Sequence, residues 1–351
     1  MHRRWVFSGL GIFLGLATAI ATLAAAPIKA AEPEYTFTIH HFLSPKAPAQ
    51  TTLIEPWAER IAAASEGRIA FEIFPSMTLG GKPPELYKQV RDGTADIVWT
   101  VPGYTPGVFP RLEVFELPTV HRGSAEATTL AIQDVMPDLE ADLQDVKPLL
   151  VHVHSGNALH LVNLDVNGPD DVKDLKIRSP SRTGVWMLES WGAEPVGMPV
   201  PALPQALSKG TIDGALIPFE VAIPLKIAQL AEHSVELDGG RRFGTATFLL
   251  AMNKERYENL PDDLKKIIDD NSGAAIAGEI GAAWDSIEPV GKQIALDQGR
   301  NVYALSPEAT AAFDSLHQGL SDRWVEEASE KGIDAEALLD KARAAVASHS
   351  D

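Results

Sequence analysis

In the stretch "LKIRSP" (175–180), apolar Leu175 and Ile177 alternate with Lys176 and Arg178, the period of a half-buried strand. Pro180 ends it. An arginine is thus held at the carboxyl end of a rigid element. Its planar guanidinium suits two-point binding of a carboxylate; a structural ion pair is the competing use. His152 and His154 lie two apart on a second strand-like stretch and could join His160 as metal ligands. No fourth ligand accompanies them, which favours histidines at the surface or a lobe edge. His40 and His41 point to opposite faces of their strand, and His41 is taken as a cleft-wall candidate. Ser155 beside histidines hints at a hydrolase, but no nucleophile turn surrounds it. The sequence has no G-x-S-x-G, H-E-x-x-H, Walker A or dinucleotide fingerprint, so neither a metal nor a cofactor is expected.

The elements that position these residues follow a repeated order. Strand-like stretches at 35–42, 67–75 and 95–101 alternate with helical patterns at 49–65 and 83–93, a βαβαβ unit. The order recurs as strand 175–180, helix 182–192, strand 193–199, helix 201–210 and strand 212–218. Both units pass from helix to strand through a Gly-Thr-x-Asp junction, at Gly93–Asp96 and Gly210–Asp213. Two such units predict two similar α/β lobes. Between them lie a helical stretch (124–145) and a strand (147–155). Beyond them come an apolar strand (244–253), a long helical pattern to about Gly299 kinked at Pro289, and helices over 307–331 and 334–349 with a frayed tail. No flexible linker separates the units, which suits a hinge.

In open α/β sheets, ligands bind beyond the carboxyl ends of the strands. Arg178, Trp99, Thr100, Phe219 and Glu220 all fall at such ends. Trp186, on the short helix after Arg178, is a further candidate for the cleft, whereas Trp191 reads as core.

Composition narrows the setting. Arg3 and Arg4 precede an apolar run from Trp5 to Ala26, read as a cleaved signal peptide over 1–30, with Ala26 as an alternative cleavage site. The chain has no cysteine, so an exported protein folds here without disulfides or a lipid anchor. Loss of Arg3, Arg4 and Lys29 with the leader takes the net charge from −18 to −21, a surface that repels nucleic acid and anionic lipid.

"DLKIRSP…GAEPVGMPVPALPQALSKGTIDGALIPFE", "GRIAFEIFPSMTLGG…ELYKQVRDGTADIVWTVPGYTPGVFP" and "LLAMNKERYENLPDDLKKII" together resemble the DctP-type substrate-binding proteins of TRAP (tripartite ATP-independent periplasmic) transporters. The resemblance covers roughly 35–300 in family order. It implies a type II-like two-lobed periplasmic binding fold, each lobe an open βαβαβ-based sheet flanked by helices, with a long helix crossing both. Lobe 1 is expected over 31–155 plus 244–290, and lobe 2 over 156–243 plus 291–351. It further implies an organic acid whose carboxylate pairs with Arg178, and delivery by a monomeric receptor to two integral-membrane subunits. Many members carry a second arginine just after the hinge; here "NALHLVN" places Leu159 and His160 there, and His160 joins the site. Many also have an asparagine near the position of Phe219 or Glu220. Without the second arginine, and with Trp99, Trp186 and Phe219 as wall candidates, the pocket suits a flatter, more apolar body: a small monocarboxylate, aromatic acids among them. An enzyme or a ligand-sensing domain on the same scaffold are the alternative readings.

Overall fold

The computed structural model describes residues 32–350; the expected signal peptide lies outside them. The chain first lays down β1 (Tyr35–His41), β2 (Ile69–Phe74), β3 (Ile97–Thr100) and β4 (Val146–Val153). It then crosses to a second sheet as β5 (Ala158–Leu161), β6 (Lys176–Ser179), β7 (Glu194–Gly197), β8 (Gly214–Ile217) and β9 (His233–Glu236). It returns as β10 (Thr247–Asn253) and closes the second sheet with β11 (Asn301–Ala304). The sheet orders are β2-β1-β3-β10-β4 and β11-β9-β5-β8-β6-β7.

The topology follows from the sequence pattern. β1 pairs in parallel with both β2 and β3, and β6 with both β7 and β8. Parallel neighbours need a crossover, supplied in the first sheet by helices Glu55–Ala64 and Leu86–Arg91. β3 and β8 are buried along their whole length, as expected of strands covered on both faces. Each lobe thus aims its strand ends at the interlobe cleft.

Two strand-like segments cross between the sheets side by side. The N–H of Asn157 donates to Gly244 O at 2.8 Å, and the N–H of Phe243 to Asn157 O at 2.9 Å. Gly156 sits in this pair with φ +104°, and a Cβ there would lie 2.3 Å from Arg242 Cβ. Only glycine meets both the conformation and the close approach.

Three helical expectations are corrected. The stretch 124–145 is two helices, Ala125–Asp134 and Met136–Leu143; Pro137 has no N–H to continue the first. The long helix divides at Gly273 (φ +56°) into Asp262–Asp270 and Ala274–Asp297. Pro289 is carried inside the second piece. The tail is not frayed: helix Ala335–Ser348 buries Leu338, Ala342 and Val346 and packs against helix Ala125–Asp134. The same helix also packs against helix Pro307–Ser329. Helix Ala274–Asp297 packs against elements of both sheets. Among the described residues no helix is long and apolar enough to cross a membrane.

Candidate functional site

Arg178 is 2% exposed. Its Nε donates to Met198 O and its Nη1 to Leu216 O, each at 2.9 Å, while Nη2 reaches the Tyr104 hydroxyl at 3.4 Å. These three acceptors fix the plane of the guanidinium. They leave one N–H on each terminal nitrogen uncommitted, a two-point donor. No carboxylate among the described residues forms an ion pair with it. Burial pulls its pKa down, with Tyr104 opposing, but an arginine remains a cation. A buried cation without a counter-charge is costly, and an anionic ligand would repay that cost.

The guanidinium opens on a cavity of about 380 Å³, open solvent at its mouth included. Phe42, Trp99, Tyr104 and Phe248 supply aromatic walls, with Val101, Val200 and Ile217 between them. Trp99 stacks on Phe248 with ring centres 4.7 Å apart and on Phe42 at 5.1 Å. The polar groups of the wall are few: Arg178, His154, Asn157, Glu220 and the Tyr104 hydroxyl. Arg178 is the one cation of that wall. The Tyr104 oxygen accepts from Arg178 and from Val200 N at 2.9 Å, so its own proton is free to be donated. These two bonds also tie the loop after β3 to the second lobe.

The family model described as bacterial extracellular solute-binding protein, family 7 (DctP), matches residues 39–327. The chain belongs to this family. A marine-metagenome TRAP solute-binding protein specific for aromatic acid ligands, solved with 3-hydroxybenzoate, is 41% identical with a TM-score of 0.88, covering 91% of this chain and all of that one. A TRAP solute-binding protein from Rhodoferax ferrireducens, solved with copurified benzoate, is also 41% identical, with a TM-score of 0.87 over 90% of this chain and 98% of that one. The outer membrane transporter protein TsaT of Comamonas testosteroni is 25% identical, spanning 94% of this chain and 97% of its own. The chain is therefore an extracellular solute-binding protein and not an enzyme.

Within this family-7 receptor, the cavity gathers three of the residues singled out from sequence: Arg178, Trp99 and Glu220. Five others lie elsewhere. Thr100 follows Trp99 on the strand and so points to the opposite face; Val101, back on the Trp99 side, takes the wall position. His41 is turned away, its Nε2 3.0 Å from Gln50 Oε1, and Phe42 lines the wall instead. Trp186 is sandwiched between the guanidinium groups of Arg182 and Arg323, at 4.5 and 4.4 Å. Phe219 and His160 meet edge to face, ring centres 5.0 Å apart, and line a separate cavity. Trp191 is core, against Phe243 and Phe313.

The histidines are not at the surface. His152 is fully buried and its Nε2 accepts the Trp99 indole N–H at 3.0 Å. His154 lies between the main-chain N–H groups of Gly156 and Ala246. Burial lowers the pKa of His152 to about 3 and that of His154 well below its ordinary value, so both are neutral. Ser155 donates to Asp285 at 2.5 Å rather than to an imidazole. Arg242 brings a second guanidinium near His160, over the Phe219 ring at 5.2 Å, but Glu236 and Glu288 neutralise it. Sequence reading missed Phe42, Tyr104, Asn157 and Phe248. The strand-end rule could have found Phe42, the residue after β1, and Tyr104, in the turn that follows β3; Asn157 and Phe248 depend on how the crossing segments fold back.

Proposed function

We propose that this chain is the periplasmic receptor of a TRAP transporter for an aromatic monocarboxylate, which it encloses between its lobes and delivers to the integral-membrane subunits. The observation that carries the reading is Arg178: a buried, oriented guanidinium with no carboxylate partner among the described residues, at the edge of an aromatic cavity. One uncompensated cation matches one ligand carboxylate, and flat aromatic walls match a ring. Two relatives at 41% identity bind aromatic acids, which supports the same ligand class. The proposed lobes are 31–155 plus 244–290 and 156–243 plus 291–351, the final helix resting on lobe 1. A cleaved signal over 1–30 would place the receptor in the periplasm, where a monomer suffices for delivery.

Native mass spectrometry of the purified protein identifies any copurified ligand, and calorimetric titration with benzoate and its hydroxylated forms measures affinity. An aromatic acid bound one to one is the expected result. Copurification of a sugar acid or a dicarboxylate, with no binding of aromatic acids, would overturn the reading.

A further inference from the structure

Two polar groups on the cavity wall are poorly satisfied among the described residues. Asn157 Oδ1 is buried and accepts no hydrogen bond, while its amide nitrogen donates to Phe243 O at 3.3 Å. Glu220 is 4% exposed, and among the described residues its carboxyl oxygens make no hydrogen bond. Its own main-chain N–H donates to Glu288 Oε1 at 2.8 Å. The buried indole N–H of Trp284 acts on the Glu220 carboxyl only as a weak donor, an attraction that burial and Glu288 outweigh.

The two groups belong to one part of the wall. β5 and β8 are antiparallel with Ala158 opposite Ile217, which sets Asn157 across from Pro218, two residues before Glu220. Arg178 forms no ion pair with Glu220, so the cavity offers a cationic point and a separate polar point on aromatic walls.

We propose that Asn157 and Glu220 form a hydroxyl-recognition point, so that the ligand is a hydroxylated aromatic acid rather than a plain one. This rests on the aromatic-carboxylate reading above. A phenolic hydroxyl carries one proton to give and lone pairs to receive. Its proton goes to Asn157 Oδ1, and the Glu220 carboxylic acid donates to its oxygen. Burial, and Glu288 beside it, push the Glu220 carboxyl well above the usual range. A protonated Glu220 also spares the ligand a second negative charge in a dry cavity. An unsubstituted ring would leave both groups desolvated and unpaired, the situation in which sites reject the analogue lacking a hydroxyl.

The test is calorimetric titration of the full mature chain with benzoate and the three monohydroxybenzoates. At least one hydroxybenzoate is expected to bind about tenfold or more tighter than benzoate. Glu220→Leu should weaken that hydroxybenzoate and tighten benzoate, erasing or inverting the ratio; Glu220→Gln should restore part of it. Asn157→Ala gives an independent reading and should shrink the same ratio. Equal binding of all four acids by the wild type overturns the inference and leaves the aromatic reading standing. A ratio untouched by Glu220→Leu and Asn157→Ala overturns it as well. Failure of all four acids to bind overturns the aromatic reading and the inference together.

Discussion

Arg178 serves two ends at once, and this shapes what its removal does. Its bonds to Met198 O and Leu216 O satisfy buried carbonyls, and its free N–H pair faces the cavity. A purely structural arginine would cost only stability on replacement; a purely ligand-binding one would cost only affinity. Arg178→Met should cost both. Affinity for the aromatic acid should fall by roughly 30- to 3,000-fold, corresponding to about 2–5 kcal/mol. The ligand-free melting temperature should fall as well, because two carbonyls lose their donor. Arg178→Lys keeps the charge without the fork and should recover part of the affinity. Tyr104→Phe removes one hydroxyl and should weaken binding by about tenfold. Calorimetry and thermal melts on these proteins check the pattern; undiminished affinity in Arg178→Met defeats the assignment. Arg178 was legible from "LKIRSP" because a strand period and a proline are local signals. Asn157 was not, because its position on the wall depends on a fold-back contact with residues more than eighty positions away, Phe243 and Gly244.

At the scale of elements, strands were read more faithfully than the ends of helices. β3 and β8 announce themselves by short apolar runs bounded by glycine or proline, since burial on both faces leaves little choice of residue. β9 and β11, carrying polar residues at the edge side of the second sheet, have no such run and escaped the reading. The division of the long helical pattern at Gly273 was equally hidden, because the N–H of Gly273 donates to Leu149 O across the fold. The element most exposed to single changes is the crossing pair. Gly156→Ala would have to hold φ near +104° and place its Cβ 2.3 Å from Arg242 Cβ. Backbone strain alone costs about 1–3 kcal/mol, and the clash adds to it by shifting Arg242 from Glu236 and Glu288. A substantially lower melting point is expected in chemical or thermal unfolding. An alanine variant as stable as wild type would show that the crossing segments yield easily.

The whole molecule combines two lobes, a narrow crossing and a set of contacts that clasp the cleft: Tyr104 with Arg178 and Val200, Thr183 with Glu116, Arg182 with Glu113. These few contacts can open while each sheet stays intact, so ligand binding should draw the lobes together and reduce the radius of gyration. Superimposable small-angle scattering curves with and without saturating aromatic acid would count against closure. Stability of the same molecule should depend on pH through its buried imidazoles. Burial lowers His41, His121 and His317 to about 4 and His152 and His160 to about 3, and takes His154 well below its ordinary value. In the unfolded chain each titrates near 6.5, so below that pH the unfolded state binds more protons than the folded one. Stability therefore declines as pH falls from about 6.5 toward the folded values, at up to about 1.4 kcal/mol per pH unit for each histidine. The raised carboxyls of Glu113, Asp142, Glu220 and Glu288 act in the opposite sense, because the folded state holds their protons more firmly. The lowered histidines, buried His40 among them, outnumber the raised carboxyls, so a net loss of stability is expected as pH falls from 7 to 5. His152 and His317 give the effect its structural cause: each accepts an indole N–H, from Trp99 and Trp191, and a protonated ring cannot. Thermal melts at pH 7, 6 and 5 should show a progressive fall, flattened in part by His317→Gln; a melting temperature constant across that range would refute the account.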